Sequence, residues 1–119
     1  MSNPHSPLPA GARLNGGNYT ILDKIGAGGF GITYVARQND LDRKVCIKEY
    51  FLSGHCFRDE RTMRVSCNDG DEAVYDKYRQ AFIREAQMVA SVNHPNVVDV
   101  IGVFQENNTA YMVMQFIEG

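Results

Sequence analysis

Three stretches in the first half of the chain have a strand pattern. In residues 19–25, Tyr19, Ile21 and Ile25 fall on one side together with Asp23, and residues 32–36 form a β-branched and aromatic run. Residues 44–51 alternate in the same way after a polar turn. A period of two and a β-branched composition both favour strands over helices. We therefore predict three consecutive strands, followed by a change of pattern.

The second half of the chain begins with one strong helix pattern over residues 71–92. Its apolar residues recur at spacings of three and four, as expected for one face of a helix; they are Val74, Tyr78, Ala81, Phe82, Met88, Val89 and Val92. Asp71 and Glu72 suit the positive end of a helix dipole. The sequence Asn93-His94-Pro95 is expected to end the helix.

Two further strand patterns, residues 97–104 and 110–117, flank the turn-forming sequence Glu106-Asn107-Asn108. The predicted order is therefore β-β-β-α-β-β. This order indicates an α+β fold with a five-stranded antiparallel sheet and one long helix.

Two segments show no period. Residues 1–18 contain three of the four prolines and several glycines, which predicts a disordered leader, with order beginning near Tyr19. Residues 52–70 are predicted to form a long loop. The arginines of this loop alternate with Asp59 and Glu60, which favours a solvated segment over a nucleic-acid patch; they are Arg58, Arg61 and Arg64.

Composition narrows the class of protein. The 119 residues carry a formal charge of −2, so we expect no attraction to nucleic acid or to an anionic membrane. No apolar run approaches the roughly 20 residues of a membrane span, and the N-terminus lacks the apolar core of a secretory signal. The three cysteines are irregularly spaced, which predicts a reducing, cytoplasmic location.

The glycine cluster at residues 26–31 fits the pattern G-x-G-x-x-G, which alone is compatible with three structures. The first is a plain glycine-rich turn. The second is a dinucleotide site, which requires a helix that opens at the third glycine. The third is a strand–loop–strand hairpin that covers a triphosphate, where side-chain-free residues let backbone N–H groups approach phosphate oxygens. The strand pattern after Gly31 favours the third, with Phe30 at the tip shielding the phosphates from water.

Glu85 lies within the apolar stripe of the predicted helix. A carboxylate on a buried face is costly unless it meets a cation, although a glutamate at the edge of the stripe would reach solvent instead. Lys48, which shares a strand face with Cys46, is the natural partner. A lysine held by a glutamate beneath a glycine hairpin is well placed to neutralise phosphate charge.

These motifs, taken in order, resemble the N-terminal lobe of a protein kinase, and more narrowly that of the bacterial eukaryote-like serine/threonine kinases. The resemblance covers residues 19–119. It rests on the glycine loop, Lys48 within Val45-Cys46-Ile47-Lys48, Glu85 on a helix, His94-Pro95-Asn96-Val97-Val98 and the final segment AYMVMQFIEG.

The resemblance implies a role for each matching position. Lys48 would contact the α- and β-phosphates of ATP, and Glu85 would orient Lys48 in the active state. The phosphate-covering loop would be Gly26, Ala27, Gly28, Gly29, Phe30 and Gly31. Ile25, Thr33 and Cys46 would line the roof of the adenine pocket. Met114 falls at the gatekeeper position, and Gln115 C=O with Ile117 N–H would pair with the adenine edge. Val89 and Val100 fall in the regulatory spine, or are plain core residues.

The sequence also departs from the family pattern. Thr33 and Cys46 replace the usual valine and alanine, Gln115 replaces a common acidic residue, and the stretch between Lys48 and Glu85 is longer than usual. This stretch is either a docking surface or a flexible loop, with a slight preference for the loop. No H-R-D catalytic loop, D-F-G aspartate or A-P-E segment occurs up to Gly119, so the C-terminal lobe is absent from these residues.

Two functional hypotheses follow. In the first, the chain is the ATP-binding lobe of a serine/threonine protein kinase that transfers the γ-phosphoryl of MgATP to protein hydroxyls. The Mg²⁺ ligands would belong to the C-terminal lobe, and half a site is not expected to turn over. In the second, the chain is a free-standing inactive lobe that acts as a regulatory module and self-associates through apolar surface around Met88, Val100 and Met114.

A zinc site is the weakest alternative. His55, Cys56, Cys67 and His94 lack the tight paired spacing of a structural zinc site, so we expect no metal bound by this segment.

Overall fold

The structure is a computed structural model that describes residues 7–92, 95 and 98–117. Its elements are, in chain order, β1 (Arg13–Leu14), β2 (Tyr19–Ala27), β3 (Gly31–Gln38), β4 (Arg43–Tyr50), β5 (Cys56–Arg58), β6 (Val65–Cys67), α1 (Glu72–Ser91), β7 (Val100–Glu106) and β8 (Thr109–Gln115). Six strands form an antiparallel sheet in the order β1-β2-β3-β4-β8-β7, and β5 pairs with β6 separately. The predicted five-stranded sheet with one long helix is confirmed, with β1 added at its edge.

The pairing register gives the large sheet two different faces. Tyr34 on β3 lies opposite Ile47 on β4, which lies opposite Val113 on β8, and all three side chains are completely buried. Because side chains alternate along a strand, the neighbouring residues point to the opposite face. In the middle of the sheet that face is half-buried or exposed, with Thr33, Lys48 and Met112 in its central row. At the end of β4 the same face is covered by α1, where Tyr50 is buried against Tyr75. One face is therefore the core, and the other is partly open.

The N-terminal segment packs on the core face. Leu8 and Leu14 are only 4% and 1% exposed, and Arg13–Leu14 pairs with the start of β2. The backbone N–H of Leu8 also donates a 2.9 Å hydrogen bond to the hydroxyl of Tyr34. The prediction of a disordered leader is therefore wrong for residues 7–18. This proline- and glycine-rich segment joins the core through Leu8 and Leu14, and its backbone also bonds to Ile21.

The segment between β4 and α1 also differs from its prediction as a loop. It contains the β5–β6 hairpin, which packs against the core face through Cys56 and Val65. Arg58, expected to be solvated, is buried. Three-residue strands are too short to produce a recognisable period, so the pattern of residues 52–70 gave no indication of them.

The helix spans Glu72–Ser91, within one residue of its predicted bounds at each end. Its buried residues are Tyr75 and Ala86, while Tyr78, Met88 and Val92 are exposed. The helix is therefore rotated relative to the predicted apolar stripe, because Tyr75 packs against Tyr50 with ring centroids 5.1 Å apart. Among the described residues, no helix has the length and apolarity that a membrane span requires.

The predicted turn before the last strand is confirmed. Asn107 and Asn108 join β7 to β8 as a two-residue loop, with φ angles of 56° and 59°. Asparagine tolerates this left-handed conformation, which matches the twist of a hairpin. The helix-ending residues Asn93 and His94, the predicted strand start at Val97 and the terminal Gly119 lie outside the described residues.

Candidate functional site

The glycine cluster forms the hairpin between β2 and β3. Gly26 and Ala27 end β2, residues 28–30 make the turn, and Gly31 begins β3. The N–H of Gly28 donates to the carbonyl of Gly31 at 2.9 Å and closes the loop. Because a strand and not a helix follows the third glycine, the dinucleotide-site alternative is wrong.

The tip of this hairpin rests on the segment after β4 and on the helix. The carbonyls of Gly29 and Phe30 accept hydrogen bonds from the N–H groups of Ser53 and Phe51, at 3.0 and 3.1 Å. The Phe30 ring meets the Tyr78 ring edge-on, with centroids 5.5 Å apart. The hairpin is thus folded down over the open face of the sheet.

Lys48 and Glu85 line one cavity beneath the hairpin tip. The cavity measures about 360 Å³, and its other walls are Phe30, Tyr50, Tyr78, Ala81 and Phe82. A smaller cavity of about 50 Å³ also has both charged residues in its wall, together with Val89 and Met112. The strand and the helix therefore bring to one place two opposite charges that are distant in the sequence.

Both charged side chains are exposed, and within the described part of the chain no direct ion pair joins them. The expectation that Glu85 lies on the buried face of the helix is wrong. The helix is rotated relative to the predicted apolar stripe, so Ala86 is buried and Glu85 is exposed. Glu85 lies where the helix borders the cavity. A lysine and a glutamate in this arrangement can each turn toward an anion or toward one another.

The predicted adenine-pocket residues lie on the open face. Cys46 lies opposite Met114 on β8, and Thr33 lies opposite Lys48, all of them half-buried except the exposed lysine. Ile25, on β2, is 55% exposed. Burial raises the pKa of the Cys46 thiol, and the nearby Lys48 ammonium opposes this rise.

The predicted hinge residues follow at the end of β8. Gln115 is the last residue of this strand, lies opposite Val45, and donates its N–H to the carbonyl of Asp99 at 2.9 Å. Ile117 lies beyond the strand and is 61% exposed. Of the two predicted spine residues, Val89 lines the smaller cavity, and Val100 lies opposite Met114.

The glycines of the loop fall into two kinds. A Cβ atom added to Gly31 would lie 2.8 Å from the carbonyl oxygen of Glu49, so β4 itself requires a glycine there. A Cβ added to Gly26, Gly28 or Gly29 would meet nothing within 4 Å. Among the described residues, packing therefore requires a glycine at Gly31 but not at these three positions.

Sequence reasoning missed a buried polar cluster next to Lys48. Glu49 is completely buried and accepts hydrogen bonds from Arg58 Nη2 at 2.5 Å and from the hydroxyls of Tyr34 and Tyr111 at 2.8 and 2.6 Å. Arg58 also donates to the carbonyl of Met63 at 2.8 Å. The alternation of side chains along the strand could have placed Glu49 on the same face as Val45 and Ile47. Nothing in the sequence, however, identifies Arg58 as the partner of Glu49.

The electrostatics of this cluster follow from burial and from the Glu49 charge. Burial lowers the pKa of the Arg58 guanidinium, but the Glu49 charge, the hydrogen bond to Glu49 and the two nearby tyrosines together outweigh burial, and the net pKa lies above its usual value. Burial, and then Glu49, raise the pKa of both Tyr34 and Tyr111. The tyrosines therefore stay protonated and donate to Glu49.

The β5–β6 hairpin and the helix meet at the turn between β7 and β8. Val65 N–H donates to Asn107 C=O, and Asn108 Nδ2 donates to Val65 C=O, at 2.8 and 2.9 Å. From the helix, the Tyr75 hydroxyl donates to Asn108 C=O at 2.7 Å. The N-terminal part of α1 is thereby tied to the turn between β7 and β8.

Within the described residues, no group of three or more His, Cys, Asp or Glu side chains is placed to hold a metal ion. His55 instead faces Asp71, with Nδ1 and Oδ2 3.3 Å apart. His94, the fourth residue of the zinc alternative, lies outside the described residues.

Comparison with known proteins gives a single family. The family described as Protein kinase domain matches residues 19–119. The chain is 34% identical over 109 residues to the serine/threonine-protein kinase PrkC of Bacillus subtilis, covering 92% of this chain and 14% of that kinase. It is 32% identical over 114 residues to the serine/threonine-protein kinase PksC of Streptomyces coelicolor, covering 92% of this chain and 17% of that kinase.

Solved structures agree with these relatives. The apo form of PpkA-294 superimposes with a TM-score of 0.89 at 34% identity, covering 96% of this chain and 40% of that one. The PknI kinase domain of Mycobacterium tuberculosis, at 18% identity and a TM-score of 0.63, shares the fold. The chain spans less than a fifth of the length of the curated relatives named above.

Proposed function

Since the chain belongs to the protein kinase domain family, we propose that it is the ATP-binding lobe of a cytoplasmic serine/threonine protein kinase. The kinase would transfer the γ-phosphoryl group of MgATP to protein hydroxyls. These residues contain no catalytic loop and no magnesium ligands of the family pattern, so the reaction also requires groups from a C-terminal lobe. The three cysteines are free, which supports the cytoplasmic location.

The observation that carries this proposal is the shared cavity of Lys48 and Glu85 under the tip of the glycine hairpin. A phosphate tail needs a cation, an approachable backbone and protection from water. Lys48 supplies the ammonium, the glycines leave open space for approach, and Phe30 and Tyr78 line one side of the cavity. The residues present therefore fit a nucleoside triphosphate.

Each residue would act on the bound nucleotide in a distinct way. Lys48 would neutralise charge on the α- and β-phosphates, and Glu85 would turn toward Lys48 and fix its ammonium. Gly26, Gly28 and Gly31 would let the hairpin backbone lie over the phosphates. The half-buried face formed by Thr33, Cys46 and Met114 would receive the adenine ring, with Ile25 above it and the backbone of Gln115 and Ile117 at its edge. ATP itself supplies the phosphoryl group.

The direct test is a titration of the chain with MgATP followed by amide chemical shifts in solution. We expect millimolar nucleotide to shift the amides of residues 26–31 and of Lys48, while calorimetry gives no saturable binding at low micromolar nucleotide. Lys48→Met should abolish the shifts. Lys24→Met, which removes an exposed lysine from β2, should leave them unchanged. Equal shifts in wild type and Lys48→Met would contradict the proposal.

The corresponding test in a longer protein that includes the C-terminal lobe is phosphorylation of a protein substrate. Lys48→Met is expected to abolish transfer, and Lys24→Met is expected to retain it. Full activity of the Lys48→Met protein would refute the assignment of Lys48.

A second candidate function is the regulatory module that self-associates. It is favoured by the exposure of Met88 on the helix, which is 67%. Light scattering would show a dimer at high concentration that Met88→Glu dissociates. A strict monomer would contradict this candidate function.

A further inference from the structure

The β5–β6 hairpin contains two of the three cysteines at directly opposed positions. Cys56 on β5 is the register partner of Cys67 on β6, and both thiols are free. In an antiparallel pair, opposed residues alternate between hydrogen-bonded and non-hydrogen-bonded positions. The type of position decides how close the two side chains lie.

Hydrogen bonds on both sides of the cysteines settle the type. Asn68 N–H donates to His55 C=O at 2.9 Å, and Asp59 N–H donates to Arg64 C=O at 2.8 Å. The hydrogen-bonded pairs 55/68 and 59/64 lie one and three positions along the register from the 56/67 pair. Because the two types of pair alternate, an odd separation makes 56/67 a non-hydrogen-bonded pair. Such pairs have Cα atoms about 4.5 Å apart, within the range that a disulfide bridges.

The two thiols differ in environment. Cys56 is buried, and its Sγ donates to the Leu52 carbonyl at 3.2 Å, whereas Cys67 is only half-buried. Burial raises the pKa of the Cys56 thiol to about 11. An oxidant from solvent therefore reacts first with Cys67, and Cys56 is the neighbouring thiol that can react with the oxidised Cys67.

We propose that Cys56 and Cys67 are an oxidisable dithiol that forms an intrachain disulfide when the protein meets a peroxide. The Cys67 sulfur attacks hydrogen peroxide, the O–O bond breaks, and Cys67 sulfenic acid and water form. The Cys56 sulfur then attacks the Cys67 sulfur, the S–S bond forms, the S–O bond breaks, and the leaving hydroxide takes the Cys56 proton. Two thiols lose two electrons, and one peroxide becomes two waters.

The bridge would act on the fold through Arg58. The bridged hairpin carries Arg58, whose guanidinium pairs with the buried Glu49 beside Lys48. A covalent link between β5 and β6 restricts the unfolded chain and holds this pair in place. Disulfides in cytosolic proteins are mostly transient and redox-sensing, which is the use expected here.

Oxidation of the full chain with hydrogen peroxide tests the proposal. The expected product has lost 2 Da, retains one alkylatable cysteine, and gives a peptide that links Cys56 to Cys67. Dithiothreitol should restore the original mass, and the oxidised chain should melt several degrees higher than the reduced chain. Products that gain oxygen without losing 2 Da, or a lower melting temperature, would overturn the proposal.

The chain offers a matched control. Cys46 lies ten residues before Cys56, which is close to the spacing of eleven between Cys56 and Cys67. Cys46 lies on the open face of the sheet, however, whereas Cys56 packs against the core face. Cys46→Ser should form the bridge as readily as wild type, and Cys67→Ser should not lose 2 Da. In urea, wild type should yield both 46–56 and 56–67 bridges, whereas the native chain should yield 56–67 alone. The same mixture in both states would show that the fold does not preorganise the pair, and would overturn the proposal without reliance on any variant.

Discussion

Arg58 and Glu49 form an ion pair in which both side chains are completely buried, with Nη2 and Oε1 2.5 Å apart. Arg58 belongs to the hairpin between β4 and α1, and Glu49 directly follows Lys48. This hairpin is thereby joined to the sheet at the residue adjacent to the cation of the proposed phosphate site. In this chain the stretch between Lys48 and Glu85 is part of the structure that supports Lys48.

Removing the cation of this pair should strongly destabilise the fold. Arg58→Met leaves the Glu49 carboxylate buried without a counter-charge, which costs about 3–5 kcal/mol of unfolding free energy. The two tyrosine hydroxyls still satisfy Glu49, so we expect the lower end of this range. Urea denaturation measures the loss. Arg61→Met, which removes an exposed arginine of the same hairpin, should change stability by less than about 0.5 kcal/mol. Equal stabilities of the two variants would refute the importance of the buried pair.

Two alanine substitutions should separate the structural glycine from the ligand-facing ones. Gly31→Ala forces a Cβ against the Glu49 carbonyl at 2.8 Å and should cost about 1–3 kcal/mol in urea denaturation. Gly28→Ala meets open space and should leave stability within about 0.5 kcal/mol, while weakening the response of the hairpin amides to MgATP. A stable Gly31→Ala variant would show that β3 and β4 can separate locally without penalty.

The main elements of this fold were predictable because their patterns are local. Strand alternation and the Asn107-Asn108 turn each depend on residues that are near in sequence, and the structure agrees with them. The face of the helix was not predictable to the same accuracy. Its rotation depends on Tyr75 packing against Tyr50, a contact between two elements that a single helix pattern does not contain.

The parts that were missed depend on contacts between distant segments. Leu8 is isolated among prolines, and its burial needs the finished sheet and the hydroxyl of Tyr34. Arg58 sits in a strand of three residues, and its partner Glu49 belongs to another sheet. The placing of Lys48 and Glu85 beneath the glycine hairpin was predicted, although as a direct pair, and only by combining the glycine pattern, the strand position of Lys48 and the helix position of Glu85, each of which is weak alone.

The contact between Phe30 and Tyr78 should control the opening of the glycine hairpin. An edge-on aromatic pair contributes about 0.5–1.5 kcal/mol beyond its buried area, so Tyr78→Ala should speed amide hydrogen exchange by about 2–10-fold at Gly28, Phe51 and Ser53, whose N–H groups hold the tip. Tyr78→Phe keeps the ring and should exchange at the wild-type rate. Unchanged exchange in Tyr78→Ala would show that the hydrogen bonds of Gly29 and Phe30 alone hold the tip.

Alkaline pH should unfold the protein through its buried tyrosines and Cys56. Burial raises the pKa of Tyr75 from 10.0 to about 12 and that of Cys56 from 9.0 to about 11. Because the folded state holds these protons more tightly than the unfolded state, the stability they contribute is fully present below about pH 9 and is lost as the pH rises through the folded-state values.

We therefore expect these groups to leave the melting temperature unchanged from pH 7 to about pH 8.5 and to lower it steadily from pH 9 to pH 11. Circular dichroism at each pH measures the melting temperature. Tyr75→Phe loses the hydroxyl bond to Asn108 and should be about 1 kcal/mol less stable at pH 7. The variant should nevertheless lose less stability than wild type between pH 9 and pH 11, because one of the ionisable groups is gone. Parallel declines in both proteins would show that Tyr75 does not take part in alkaline unfolding.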